Sequence, residues 1–301
     1  MIRGDLLIYT KNGIKRLDHI YDNSKISPEI DEINQKNIKN YYLYKLKTIH
    51  NIDYSYLDAN NKILCIQNLP YELKMNECKK FIEDNLSICS PKFVSVNNIT
   101  DFDYIGYPLL NSEDNLNEDF DEVSNDDKYR FQGLILLGQN NFTLNNNINN
   151  NTIGFLNKYL HNNNIPYEIY NNNVTTTIKF NLKDVTNVDD INTLSLTNIR
   201  KVINGFCELN TTVNTTDKNV FYFLKYIFLQ IGVLISAHYV NSYIIKIPNL
   251  AEKESNYFIY NNYIWSKVKK NVKTDKYNGQ LFKLSLNQNI LTEAGIISSA
   301  P

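Results

Sequence analysis

The chain is poor in the residues that usually announce chemistry or compartment. Its four cysteines, Cys65, Cys78, Cys89 and Cys207, show no CxxC spacing, which argues against the common zinc and thiol-redox motifs. Cys65 lies in the apolar run KILCIQNL and Cys207 in an apolar helical stretch, so both are expected as core thiols of a reducing, cytoplasmic compartment. No secretory pattern marks the N-terminus. The most apolar stretch, FYFLKYIFLQIGVLI, is interrupted by Lys225 and Gln230 and is too short to span a bilayer, so no membrane partner is expected. Charge of one sign is lacking too: the net charge is −1, which provides no global basic field to draw in nucleic acid. Alanine and glycine are scarce and Asn, Ile, Lys and Tyr abundant, the skew of an AT-rich genome. Asn-x-Thr triplets such as Asn141-Phe142-Thr143 are chance matches in so Asn-rich a chain.

What is present suffices for real cores: 43% of the 301 residues are apolar and 12% aromatic. That length accommodates two domains, or one large domain carrying an insertion. Residues 5–10 (DLLIYT) read as a strand, KNG at 11–13 as a turn, and NYYLYKLKTI at 40–49 as one long alternating strand. SYLD, ANN and KILCIQNL read as strand, tight turn, strand; NECKKFIEDN is a short amphipathic helix and PKFVSVNNI a strand. Residues 112–127, SEDNLNEDFDEVSNDD, are acidic with few apolar positions, as in a solvated linker. Helical periodicity then takes over. The order helix, helix, hairpin occurs twice between 128 and 248, with Gly133 and Gly205 inside the first helix of each copy. After Pro248 the pattern returns to β: YIWSKVKKNVKT alternates, YNG is a turn before a strand, and Gly295-Ile296-Ile297 is the closing strand. A β domain built from both chain ends and interrupted by a different domain explains this order, and it brings residues 1–10 and 290–301 close together.

The blocks GDLLIYTKNGIKRLDHI, LYKLKTI with SYLDANNKILCIQNLP, and WSKVKKNVKTDKYNGQLFKLSLNQNILTEAGIISS resemble, in order and separation, those of an intein. FQGLILLGQ and INGFCELN sit where the paired helices of a LAGLIDADG homing endonuclease would be. The resemblance implies an α+β chain. An all-β, horseshoe-like Hint domain (1–111 and 250–301) is followed by an acidic linker (112–127) and interrupted by a pseudo-twofold α/β LAGLIDADG-like domain (128–249).

It also names the positions where chemistry would be, and the residues there do not supply it. The first-nucleophile position falls at Met1, with Met1-Ile2-Arg3 preceding Gly4-Asp5 and no thiol or hydroxyl among them; if Met1 is the initiator, no upstream peptide awaits cleavage. The Thr-x-x-His pair maps to Asp58 and Asn61, and an Asn side chain carries no proton near pH 7. The terminal His-Asn-nucleophile positions are Ser298, Ser299 and Ala300, and serine forms no succinimide. His19, His50, His161 and His238 read as surface or half-buried residues. In the nuclease part the two metal-binding acids map to Gly138 and Asn210, neither an anionic ligand, so no metal and no cofactor are expected. Gly133 and Gly205 are kept for close helix approach. Loss at every position of both sites reads as natural decay of a retained fold.

The function expected is therefore that of a catalytically inactive structural or protein-interaction scaffold. The family's occurrence in large DNA viruses makes capsid proteins candidate partners and the virion a candidate location. The alternative is a DNA-binding protein, or a still-active nuclease or splicing element. Lys179, Lys225 and Lys246 are sparse for a groove-facing surface. In the densest basic run, at 267–276, alternation places Lys267 and Lys269 on one face, either a solvated edge strand or a polyanion contact.

Overall fold

The computed structural model describes residues 1–10, 13–22, 30–109, 126–186, 188–248, 256–286 and 288–298. It is a mixed α+β chain with mostly antiparallel sheets and seven α-helices among the described residues. Two compact units divide it: Met1–Ser112 with Asn214–Pro301, and Glu113–Val213. The inserted unit thus closes far earlier than the expected 128–249, and residues 214–248 belong with the chain ends. Most of the acidic segment, and Lys11 and Asn12 of the expected turn, lie outside the described residues; Asp126 and Asp127 open a helix.

In the first unit an eleven-stranded sheet collects strands from both chain ends. Leu7–Thr10 pairs with Gly13–Arg16 on one side and, through Ile8 opposite Thr292, with Ile290–Thr292 on the other. Gly295–Ile297 folds back on Ile290–Thr292 and meets Lys62–Ile66 through Ile297 opposite Ile63. The turn between them needs a glycine. Gly295 has φ +96°, and a Cβ there would lie 2.2 Å from Ile105 Cγ2. Trp265, wholly buried, sits among Leu64, Tyr104, Phe258 and Ile296 and donates its indole N–H to Tyr260 O at 3.0 Å. The helix Met75–Asp84 buries Cys78 and Ile82, four residues apart and so on one face.

The expected single strand over 40–49 is broken. Ile30–Tyr41 ends where Asn40 takes φ 56°, and Tyr44–Thr48 begins a second strand. Ile30–Tyr41 forms a long ribbon with Tyr277–Leu286, and YNG lies inside that ribbon at a register shift rather than in a turn before it. The helix Lys218–Gln230 and the hairpin Ser236–Tyr239/Tyr243–Lys246 complete this unit.

The second unit packs Asp126–Leu134 against Leu196–Cys207, with the helix Asn150–Asn162 and a three-stranded sheet in the order Tyr167–Asn171, Thr175–Phe180, Asn141–Asn145. Phe131, Leu134, Phe142, Leu156, Leu160 and Ile178 form its core. Along the sequence, helix–strand–helix–hairpin occurs twice. In both three-stranded sheets the second strand of the hairpin lies in the middle. The strand after each first helix had no sequence expectation, because Asn141–Asn145 and Thr212–Thr215 are mostly polar.

Candidate functional site

Residues 1–3 thread between two strands. Ile2 exchanges backbone hydrogen bonds with Phe282, both at 2.8 Å, and Arg3 N–H donates to Tyr56 O at 3.1 Å. Apolar burial anchors the segment, since Ile2 is 2% exposed. This docking brings Met1 to the turn after the strand Ser55–Leu57, where Asp58 N–H donates to Met1 O at 2.8 Å. The same N–H reaches Asn61 Oδ1 at 3.0 Å. Asp58, itself buried, accepts from Asn60 N–H through Oδ1 at 2.9 Å and from Tyr41 O–H through Oδ2. That oxygen lies 3.9 Å from the Met1 nitrogen. Burial, and then the Asp58 carboxylate, push the Tyr41 phenol up to about 12.

Three of the positions named from the sequence, Met1, Asp58 and Asn61, therefore meet. Ser298 donates its backbone N–H to Lys62 O at 3.0 Å, beside the same turn in the chain; Ser299 and Ala300 lie outside the described residues. The assembly holds a backbone carbonyl and accepts hydrogen bonds at Asp58. It offers no thiol or hydroxyl at Met1 to attack a carbonyl, and no imidazole at Asn61. Tyr41, which the sequence did not single out, is the added member; its polar strand gives no periodic signal.

A second polar cluster lies wholly inside the first unit. Lys225, 0% exposed, donates to Glu293 Oε1 at 2.8 Å and to Asn51 Oδ1 at 2.7 Å. Tyr9 O–H donates to Glu293 Oε2, and Tyr107 O–H to Glu293 O at 3.0 Å. Asn51 Nδ2 donates to that same carbonyl at 2.7 Å. Burial lowers the Lys225 pKa, and Glu293 opposes the shift. Each charge is paired and further hydrogen-bonded, the condition under which a buried ion pair is tolerated. His50 lies nearby. Its ring is 2% exposed rather than at the surface, with Nδ1 2.6 Å from Ser266 Oγ. Burial first, and then Lys225, lower its pKa to about 3. The sequence signal for this cluster was an interruption: Lys225 and Glu293 are the charged residues of otherwise apolar runs.

In the second unit the two glycines lie at the helix crossing. A Cβ on Gly133 would stand 2.0 Å from Val202 O, and one on Gly205 2.3 Å from Arg130 O. At the positions that the resemblance assigns to metal-binding acids, Gly138 has φ +75° and donates its N–H to Ile135 O at 2.8 Å. Asn210 is buried and donates Nδ2 to Phe206 O at 2.9 Å. The neighbouring acid, Glu208, is occupied. Arg130 grips it at 2.6 and 2.9 Å and Thr152 donates to it at 3.0 Å. A guanidinium rather than open coordination space therefore faces that carboxylate.

Lys267 and Lys269 do not share a face. A register shift between Val268 and Lys270 breaks the alternation. Lys267 Nζ lies 4.6 Å from the centre of the Tyr71 ring, whereas Lys269 is exposed at the bulge, where its charge adds to burial in lowering the Lys47 pKa. Cys65, Cys78 and Cys89 are buried, while Cys207 is half-buried. No helix among the described residues is long and apolar enough to cross a membrane. No family model matches the chain, and no curated protein matches it.

Proposed function

We propose that the chain is an intein-like protein, a Hint-type β domain combined with two LAGLIDADG-like, pseudo-twofold copies, the second of which runs on from the inserted unit into the unit of the chain ends, that has lost both activities and serves as a scaffold for protein partners. Capsid proteins are the partners the family resemblance favours. The observation that carries the reading is the meeting of Met1, Asp58 and Asn61. The start of the chain and a turn far along it come together, the juxtaposition that N–S acyl transfer would require; the carbonyl held there is Met1's own and not the one preceding it, and the groups that would perform the transfer are missing. The repeated helix–strand–helix–hairpin order and the glycine crossing support the second half of the reading, with Glu208 held by Arg130 in place of an open acid.

The test uses fusions at both ends. With the natural sequence, added thiol should release neither partner over days, and plasmid incubated with Mg²⁺ or Mn²⁺ should remain unnicked. The double variant Met1→Cys, Asn61→His restores a nucleophile and a proton carrier. The introduced thiolate would attack the preceding carbonyl carbon, the peptide C–N bond would break, the amine would take the proton, and external thiol would then free the upstream partner. Release from the natural chain refutes inactivity. Absence of release from a folded double variant refutes the Hint reading.

A further inference from the structure

The strands Tyr44–Thr48 and Tyr263–Lys273 pair with Lys270 opposite Lys47 and Val272 opposite Lys45. Residues opposite one another in a ladder share a face, and like charges there oppose the pairing. Lys45 and Lys47 both stand over the Tyr54 ring, at 5.6 and 5.2 Å from its centre. Lys47 Nζ donates to Ile52 O at 2.6 Å, a neutral acceptor. The bulge after Val268 adds Lys269, whose charge acts on Lys47. Among the described residues none of these four lysines forms an ion pair. Asp53, the nearby acid, is held by Lys218 at 3.0 Å and Tyr222 O–H at 2.6 Å. Four ammonium groups are thus gathered on one sheet face; Asp53 and Glu293 act on Lys47 from beyond contact, and both are already engaged by other partners.

We propose that the face formed by Lys45, Lys47, Lys269 and Lys270 is a docking surface for an extended acidic segment, rich in Asp and Glu, of a protein partner. This inference rests on the scaffold reading and names the partner's chemistry. Three observations favour a peptide over nucleic acid. Alternate side chains of an extended peptide recur about every 6.6 Å, the same repeat that separates Lys45 from Lys47 along their strand. The Tyr54 ring already carries two ammonium groups, at 5.6 and 5.2 Å from its centre, which compete with the base stacking that usually holds a single strand. The net charge of −1 supplies no long-range pull on a duplex, so the cluster works at contact range.

The full-length protein should bind a fluorescent peptide of alternating Glu and Ser at low salt, with affinity that falls as salt rises. The variant Lys47→Ser, Lys270→Ser should lose about tenfold or more of that affinity with little change in melting temperature, because removal of the like-charge pair offsets the lost hydrogen bond to Ile52 O. Lys267→Ser, at the Tyr71 ring, should bind as the natural protein does. Failure of the natural protein to bind, or equal binding by Lys47→Ser, Lys270→Ser, overturns the proposal. Tighter binding of duplex DNA that the same variant abolishes also overturns it and assigns the face to nucleic acid. Loss of the scaffold reading would be seen separately, as partner release in the fusion assay.

Discussion

Replacing Gly133 by alanine sets two known effects against each other. In an unconstrained helix the change stabilises by about 1 kcal/mol, because alanine orders the backbone at less entropic cost. At the crossing of Asp126–Leu134 and Leu196–Cys207, however, the new methyl would lie 2.0 Å from Val202 O and 2.7 Å from Phe206 N, well inside ordinary contact, which begins near 3.4 Å. Both obstacles are backbone atoms of a helix, so no rotamer change relieves them; the helices must separate. Overpacking costs about 1–3 kcal/mol, and more where backbone must move, so Gly133→Ala should lose about 2 kcal/mol net. Gly154, in the helix Asn150–Asn162, is the control: nothing lies within 4 Å of its would-be Cβ, and Gly154→Ala should gain about 0.5–1 kcal/mol. Native-state hydrogen exchange on the full chain reads the second unit locally. Amides of residues 126–134 and 196–207 should exchange faster in the Gly133 variant and no faster in the Gly154 variant. Unchanged or slower exchange in Gly133→Ala would refute the close-approach argument.

Other outcomes follow from the buried groups. His50 is held neutral, with a folded pKa of about 3 against 6.5 unfolded. The unfolded chain therefore binds more protons below pH 6.5, and stability falls as pH falls; lowering the pH to about 4.5 should cost about 2.5 kcal/mol. Urea melts across this range check it, and His50→Gln should flatten that part of the profile. Lys225→Ala strands Glu293 in the core and should cost about 3–5 kcal/mol, whereas Lys225→Met with Glu293→Gln should recover much of the loss; a double-mutant cycle by urea melts gives the coupling. Arg130→Ala frees the partly exposed Glu208 and should cost no more than about 1 kcal/mol by the same melts.

Local pattern made several elements legible. The tight ANN turn between two apolar runs gave the pair Ser55–Leu57 and Lys62–Ile66. The 3.6-residue spacing gave the helices around Gly133 and Gly205. The strand Ile30–Tyr41 was not legible. It is a ribbon made mostly of exposed, polar residues, and alternation appears only where one face is buried. The end of the inserted unit was not legible either, because Lys218–Gln230 has the same helical pattern whichever body it packs in.

The sequence by itself determined which residues stand at the candidate positions. Met1, Asn61, Gly138 and Asn210 lack the required nucleophile, proton carrier or anionic ligand wherever the chain places them, because those properties belong to the side chain. Tertiary structure decided what those residues meet. It brought Asp58 and Tyr41 to Met1, buried Lys225 against Glu293, closed Arg130 over Glu208 and, through a single bulge, moved Lys269 away from Lys267 toward Lys47. Such contacts join residues tens of positions apart, and no local periodicity encodes a partner that only folding brings near.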